Sequence, residues 1–338
     1  MKTSIKLFVL TISLITGLYA SPVDIMIGSR GYGMGGAYVA IADDASAAYW
    51  NPAGLSHLSD ITIMESNWLL QDIEGLNINY ASVAIPIKNV GTVSGSWLLT
   101  RATLEEGWDY TTNAPKSSES ANEHAFSLSV GRRLWDKLLI FEKTCLGFSI
   151  NRHTFKTDAG DGAGIGFDVG LQTRFPYGFS LGFMARALGS DVMGYKIDPE
   201  LRFGIGYDVV IKEMHKLVVA VDGTYKMNRD YQKEETLEPA KNNMKYYGGL
   251  EYSVLLQNLE ISIRGGANGM LYSTLDTYGY TAGIGMKISG ISLQYAFKGD
   301  TDPEVALGYG HRISLIIGVN TLMKLKDKKN DSSDEKKE

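Results

Sequence analysis

From residue 60 onward the chain repeats one pattern, in which large apolar residues alternate with small or polar ones over about ten positions before a turn. In the stretch 201–211, Leu201 and Phe203 would lie on one face of a strand, and Gly204 on the other. Successive side chains of a strand point to opposite faces. The pattern therefore predicts strands with one apolar face and one small or polar face.

About fourteen segments have this pattern, which is an even number, as in single-chain bacterial outer-membrane barrels. They lie near residues 60–69, 75–87, 91–103, 123–133, 138–154, 163–174, 179–187, 199–211, 216–228, 244–255, 259–268, 278–287, 291–298 and 305–321. Short turns such as 88–90 alternate with longer polar stretches such as 104–122 and 155–162. Outer-membrane barrels connect their strands in this alternating way. We therefore predict an all-β fold, a 14-stranded antiparallel transmembrane β-barrel over residues 59–322.

A soluble β-sandwich is the alternative, because it also shows alternation and frequent turns. A sandwich leaves charged residues on its outer faces, whereas here the second face consists mainly of Gly, Ser and Ala with scattered charges. Aromatic residues also tend towards the strand ends, as at Tyr246 and Tyr278, which is typical of the girdles at membrane surfaces. These features favour a barrel with a crowded lumen.

The chain begins like an exported protein. Lys2 and Lys6 precede an apolar stretch, and small residues follow near position 20, so residues 1–20 read as a signal peptide. The content of 38 Gly and 19 Tyr with only 8 Pro suits a barrel, and the net charge of -5 indicates no nucleic-acid partner. We expect a bacterial outer-membrane location with lipid neighbours. Residues 323–338 are highly charged and are predicted to form a disordered periplasmic tail.

The stretch from Gly28 to Leu55 differs from the rest of the chain because it is rich in glycine and small residues. It suits backbone packed tightly against a wall, so residues 21–58 are predicted to form a hatch inside the barrel. Asn51 and Pro52 are predicted to form the turn into the first strand. The candidate hatch and gate residues are Gly33, Gly35, Gly36, Asp43, Asp44, Asn51 and Pro52.

Two motifs resemble those of enzymes but stand in the wrong context. Gly31, Gly33 and Gly36 satisfy a dinucleotide-binding spacing, yet they follow a signal peptide and no βαβ pattern surrounds them. Ser180 lies in a hydrolase-like G-x-S-x-G, yet strand alternation continues through it. The five histidines lack metal-site spacing. We therefore predict no catalytic residue, no metal site and no cofactor.

Charged residues on the predicted inner face are the remaining candidates for a site. They are Asp168, Arg202, Asp208, Asp222, Glu251, Glu260, Arg264 and Arg312. The simplest interpretation is structural ion pairing within the lumen. A sharper hypothesis is that some of these arginines hold Asp43 or Asp44 of the hatch.

The glycine-rich stretch resembles the N-terminal signature of the FadL-like outer-membrane superfamily. The likeness is carried by M-G-G-A at 34–37, A-D-D-A at 42–45 and W-N-P-A-G-L at 50–55. The resemblance implies a fourteen-stranded barrel with an N-terminal hatch that contains the Asn51-Pro52-Ala53 element. It also implies passive, hatch-gated uptake or binding of small hydrophobic compounds. The alternative is a PorV-like barrel, associated with secretion, that binds protein partners.

Overall fold

The computed structural model describes residues 25–70, 76–104, 108–109, 114–115, 119–137, 140–157, 160–192, 195–227, 244–270, 278–300 and 310–323. The predicted signal peptide lies outside the described residues, as do positions 21–24 of the predicted hatch and 324–338 of the predicted tail. Among the described residues, no helix combines the length and apolarity needed to cross a membrane.

Fourteen antiparallel strands form one closed barrel, as predicted. They are β1 (Thr62–Leu70), β2 (Leu76–Ile87), β3 (Gly91–Leu104), β4 (Glu119–Trp135), β5 (Lys143–Thr157), β6 (Gly160–Arg174), β7 (Phe179–Val192), β8 (Glu200–Ile211), β9 (His215–Lys226), β10 (Met244–Leu255), β11 (Leu259–Met270), β12 (Tyr278–Ile288), β13 (Ile291–Asp300) and β14 (Gly310–Gly318). Each pairs with its neighbours in the chain, and β14 pairs with β1 to close the barrel. Two-residue strands pair Trp108–Asp109 with Ala114–Pro115, and Tyr195–Lys196 with the end of β7.

Several predicted boundaries were wrong at the end of the barrel that carries the longer connections. Residues 155–157 and 160–162 of the predicted loop 155–162 belong to strands, because β5 continues to Thr157 and β6 starts at Gly160. Similarly, β4 starts at Glu119, within the predicted loop 104–122. Backbone pairing continues there beyond the apolar alternation, since ladder hydrogen bonds do not require an apolar face. The sequence pattern marks only the apolar part of each strand.

The last strand is shorter than predicted, ending at Gly318, and residues 319–323 are helical. Asp60, just before β1, explains this change. Its carboxylate accepts hydrogen bonds from the backbone N–H groups of Asn320 at 2.9 Å and Thr321 at 3.0 Å. Such capping satisfies free N–H groups at a helix start and favours a helix over continued strand. The two ends of the barrel chain therefore meet at Asp60.

The outer face of the barrel is apolar. Leu128, Ile205 and Ile263 are more than half exposed. Inward-facing residues of the same strands are buried, namely Ser129, Arg202 and Ser262. This is the reverse of a protein folded in water, and it is the surface of a barrel that spans a membrane. The end with the short turns, such as 88–90 and 289–290, is the periplasmic end by the same rule.

Residues 25–58, which we call the luminal segment, run inside the barrel. They contain the helices α1 (Ser29–Gly33) and α2 (Ala47–Trp50) and a 3-10 helix (Pro52–His57). Most of their side chains are fully buried, and they form much of the hydrophobic core. The prediction that Asn51 and Pro52 turn directly into the first strand was wrong. Pro52 is the first residue of the 3-10 helix, where its missing N–H is not needed.

Candidate functional site

The interior of the barrel and the luminal segment fit each other through glycine. Wherever the segment touches the wall most closely, the wall residue lacks a side chain, and an added Cβ would overlap backbone or side-chain atoms of the segment. The wall positions are Gly131, Gly147, Gly170, Gly182, Gly249 and Gly266. The small inner face read from the sequence is therefore the surface that receives the luminal segment.

Two predicted hatch glycines are required by their backbone and their surroundings. Gly35 and Gly36 have φ angles of 67° and 90°, which L side chains rarely adopt. A Cβ on Gly35 would lie 2.6 Å from the backbone nitrogen of Ala267. Gly33 differs, because it ends α1 and its added Cβ would be 3.5 Å from its nearest neighbours, which is ordinary contact. Only two of the three glycines therefore need to be glycine.

Arg30, which the sequence analysis did not select, is the centre of the main charge cluster. Its guanidinium donates to both carboxylate oxygens of Glu251 at 2.8 and 2.9 Å. It also donates to Asp43 at 2.5 Å and to the Tyr38 hydroxyl at 2.9 Å. Arg264 on β11 donates to the same Glu251 at 2.5 Å. One carboxylate of the wall thus joins a segment arginine to a wall arginine.

The hypothesis that Arg202, Arg264 or Arg312 holds Asp43 or Asp44 was wrong. Asp43 instead pairs with Arg30 of its own segment and lies 3.9 Å from Arg174 at the end of β6. Burial alone would raise the pKa of Asp43, but the charges of Arg30, Lys216 and Arg174 outweigh it and hold that pKa well below its usual range.

Asp44 acts within the luminal segment. It accepts hydrogen bonds from the backbone N–H of Ser46 at 2.9 Å and from the Tyr38 hydroxyl at 3.0 Å. Burial raises the pKa of Asp44, and the hydrogen bonds from Ser46 oppose that rise. Asp44 therefore shapes the turn before α2, with no contact to the candidate arginines.

Arg202 and Asp222 form a second connection between wall and segment. Asp222 on β9 accepts the backbone N–H groups of Tyr38 and Val39 at 2.8 and 2.9 Å. Arg202 on β8 lies 3.4 Å from Asp222 and donates to the Gly36 carbonyl at 2.6 Å. Its guanidinium also lies over the rings of Trp50 and Tyr247. This arginine binds the segment backbone and aromatic rings instead of the segment acids.

Arg312 on β14 is fully buried and lies between two aromatic rings. Its guanidinium is 5.0 Å from the Tyr32 ring centroid and 4.8 Å from that of Trp68. Among the described residues, its three side-chain nitrogens have no hydrogen-bond partner. Cation–π contact is thus its main observed interaction. Ser29 packs beside it, donating to the Arg312 carbonyl at 3.1 Å and contacting the Ser314 hydroxyl at 2.8 Å.

Asn51 fixes the second half of the luminal segment. Its side-chain amide donates to the carbonyls of Val39 at 2.9 Å and Leu171 at 3.1 Å, while its oxygen accepts from Ala53 N–H at 3.2 Å. Gln172 on β6 donates to Val39 as well, at 3.1 Å. The Asn51 side chain therefore connects two parts of the segment, caps the 3-10 helix and contacts the wall.

The other predicted lumen charges have local roles. Asp168 on β6 is buried and accepts from the Asn151 amide at 2.8 Å and from Ala187 N–H at 2.9 Å. Ala187 lies in an irregular part of β7, where Ile165 and Phe167 of β6 pair with partners three residues apart. Asp208 shares the inner face of β8 but is only half-buried. Among the described residues, the hydrogen bonds of Asp168 go to wall strands and not to the luminal segment.

A small cavity lies between α2 and strands β2 to β7. Tyr49, Tyr80 and Leu98 line one part of it, and His153 and Asp168 another. Its volume is about 40 Å³, enough for a few water molecules. The space beside the luminal segment is therefore both narrow and partly polar.

No protein-family profile matches the chain, and no curated protein matches it. Solved structures do match. The CymD monoaromatic hydrocarbon channel has a TM-score of 0.55 at 9% identity, with 86% of this chain and 96% of that chain covered. The toluene transporter TodX of Pseudomonas putida has a TM-score of 0.54 at 9% identity, with 86% and 98% covered. CdiB from Acinetobacter baumannii has a TM-score of 0.45, and the chain spans 59% of its length.

The fold is that of the FadL-like outer-membrane barrels. At 9% identity the likeness concerns the fold, and the outward apolar face agrees with it. A single-chain antiparallel barrel of fourteen strands with this surface belongs to the bacterial outer membrane. The barrel encloses a segment that is held by side chains of several wall strands, among them β2, β6 and β14.

Proposed function

We propose that this FadL-like barrel passes small hydrophobic compounds across the outer membrane, with the luminal segment as a movable hatch. Support comes from the fold, since the similar barrels TodX and CymD are named as a toluene transporter and a monoaromatic hydrocarbon channel. The observation that carries the proposal is that the luminal segment fills the barrel interior through non-covalent contacts. The segment is held by hydrogen bonds, ion pairs and close backbone contacts, all of which can separate and re-form.

The cavity beside α2 is too small for a monoaromatic compound. An engineered cavity of about 150 Å³ in another protein holds benzene, and the cavity beside α2 is about 40 Å³. A monoaromatic compound does not fit this cavity as it stands, so in this scheme the luminal segment shifts before such a compound passes. Passage in this scheme is a conformational change with no covalent step.

Two attachments divide the hatch into parts that can be tested separately. The first joins Arg30, Glu251 and Asp43 near α1, and the second joins Asn51 to Val39 and the wall near the 3-10 helix. Gly35 and Gly36 lie between them and Asp44 shapes the following turn, so we assign the gate to the residues from Gly33 to Pro52.

A reversible cross-link tests whether the hatch must move. The hydroxyls of Ser29 and Ser314 are 2.8 Å apart, so cysteines at these two positions would bring their sulfur atoms close together. In a Cys145→Ser background, Ser29→Cys with Ser314→Cys should form a disulfide on oxidation. We expect toluene flux into proteoliposomes to fall to the lipid background when oxidised and to return on reduction, while each single variant stays insensitive to oxidant.

Unchanged flux in the oxidised, cross-linked barrel would show that the hatch does not gate passage. Background flux in every arm, with a stoichiometric protein partner cross-linked to the barrel in outer membranes, would favour the PorV-like alternative.

A further inference from the structure

The lipid-facing side of β3, β4 and β5 carries cations where an apolar surface is expected. Arg101, Arg152 and Lys156 point outward and are exposed. A lipid-facing arginine or lysine costs about 2–4 kcal/mol at the bilayer midplane and about 0–1 kcal/mol near the interfaces. The depth and the partners of these side chains therefore decide what they do.

Arg101 and Arg152 lie at the depth of the extracellular membrane–water interface. Arg101 follows the periplasmic start of β3 at Gly91 by ten residues, and Arg152 follows the start of β5 at Lys143 by nine. A rise of about 3.3 Å per residue and a strand tilt of about 40° place both about 23–25 Å above the periplasmic turns. The apolar band of such barrels is about 25 Å tall, so both arginines lie at its outer edge.

The cations differ in how far they are already neutralised. Lys156 stands opposite the exposed Asp161 in the ladder, so an acid is its cross-strand neighbour. Arg101 donates one hydrogen bond, from its Nε, to the neutral side chain of Asn122 at 2.8 Å. Arg152 stands opposite Phe126 in the ladder. The positive charge available to a ligand is therefore that of Arg101 and Arg152.

An aromatic platform lies between these arginines. The rings of Trp97, His124 and Phe126 are nearly parallel, with interplanar angles of 6° to 16°. The Trp97 indole N–H donates to His124 at 3.2 Å, which fixes the arrangement. Trp and Phe at this depth pack well against the boundary between headgroups and acyl chains.

An apolar groove continues from the platform towards the periplasmic end. Ala81 and Gly95 form part of its floor, and a Cβ on Gly95 would meet nothing within 4 Å. Leu128 and Ile150 line its side, and its volume is about 640 Å³, within the range of small-molecule sites. Its acidic residue, Glu65, lies only three residues after the start of β1 at Thr62, far from the arginines.

We propose that this surface binds a phosphorylated lipid of the outer leaflet, with its phosphate groups at Arg101 and Arg152 and an acyl chain in the groove below Trp97. Charge complementarity selects the headgroup, since arginine binds phosphate through two parallel hydrogen bonds. The groove selects a lipid over free phosphate. The proposal is independent of the hatch, because the site lies on the outside of the barrel.

Native mass spectrometry of the full-length, detergent-purified barrel tests the proposal, with diphosphoryl lipid A as the probe. Phosphatidylethanolamine and inorganic phosphate serve as the comparison ligands. We expect lipid A to bind in preference to phosphatidylethanolamine, and phosphate at equal concentration not to displace it. Arg101→Gln with Arg152→Gln should weaken lipid A binding at least tenfold, since each cation near an anionic headgroup contributes about 1 kcal/mol.

Arg132→Gln is the matched control, because Arg132 is an exposed, outward-facing arginine near the periplasmic end of β4. It should leave lipid A binding unchanged. Gly95→Leu should fill the groove and weaken binding with both arginines intact. The proposal is overturned if the double variant binds lipid A like the wild type, if Arg132→Gln lowers binding equally, or if phosphatidylethanolamine binds as well as lipid A.

Discussion

Arg30→Gln should loosen the luminal segment while leaving the barrel folded. The substitution leaves Glu251 with Arg264 as its remaining ion-pair partner, and it leaves Asp43 with Arg174 at 3.9 Å. Because Glu251 keeps Arg264, the loss is that of the hydrogen bonds from Arg30 to a charged group, which contribute about 1.5–3 kcal/mol. That range applies to Glu251, whose side chain is 2% exposed. The contribution of Asp43 is smaller, because its side chain is 27% exposed.

Hydrogen exchange read by mass spectrometry measures this effect. A loss of about 2 kcal/mol in the opening free energy should speed exchange in peptides covering 27–57 by about thirtyfold. Strand peptides should keep their protection. The control is Arg133→Gln, which removes an exposed pair with Asp136 and should cost about 0–1 kcal/mol. Equal exchange in the Arg30→Gln and wild-type segments, or equal loss across all strands, would refute the reasoning.

Three further outcomes can be measured by the same method. Gly35→Ala should raise exchange throughout the segment because its Cβ meets backbone at 2.6 Å, whereas Gly33→Ala should be tolerated; similar behaviour of the two would contradict the fit described here. Asn51→Ala should cost about 1–3 kcal/mol by removing its buried hydrogen bonds to Val39, Leu171 and the Ala53 N–H, and Asn79→Ala on the lipid face is its control. Burial and the charge of Arg174 lower the pKa of His57 to about 4. The folded segment therefore favours the neutral imidazole, and this contribution to stability is fully present above about pH 6.5, the pKa of an unfolded histidine. That stability should be lost as the pH falls from 6.5 towards 4, and the loss should be absent in His57→Gln.

Much of the barrel could be predicted because lipid imposes a simple rule on each strand. An outward apolar residue and an inward small residue alternate, so positions such as Ile205 and Gly206 reveal their faces from sequence alone. The glycine-rich luminal stretch was equally readable, since close packing against a wall excludes side chains. Strand ends beyond the apolar band could not be predicted, because backbone hydrogen bonding there leaves no signal in the residue composition.

The charge pairing of the lumen could not be predicted in the same way. Arg30 and Glu251 are 221 positions apart, and no periodicity connects them. A usable signal did exist, because buried charges are as a rule paired, and Arg30 lies inside a segment predicted to be buried next to two acids of its own. That argument would have selected Arg30 and left its partner open among the inward acids. It also explains why Arg202, Arg264 and Arg312 do not hold Asp43, since the segment supplies its own cation in Arg30.

Asp60 has a consequence for how the protein assembles. Its carboxylate joins the start of β1 to residues 320 and 321, and Ser29 meets Ser314 across 285 positions. These contacts exist only when the first and last strands have paired, yet the segment that they enclose is made first. The enclosed segment and the pairing of β14 with β1 therefore stabilise each other in the folded barrel. Contacts of such long sequence separation make folding slow, so we expect the seam between β14 and β1 to form late.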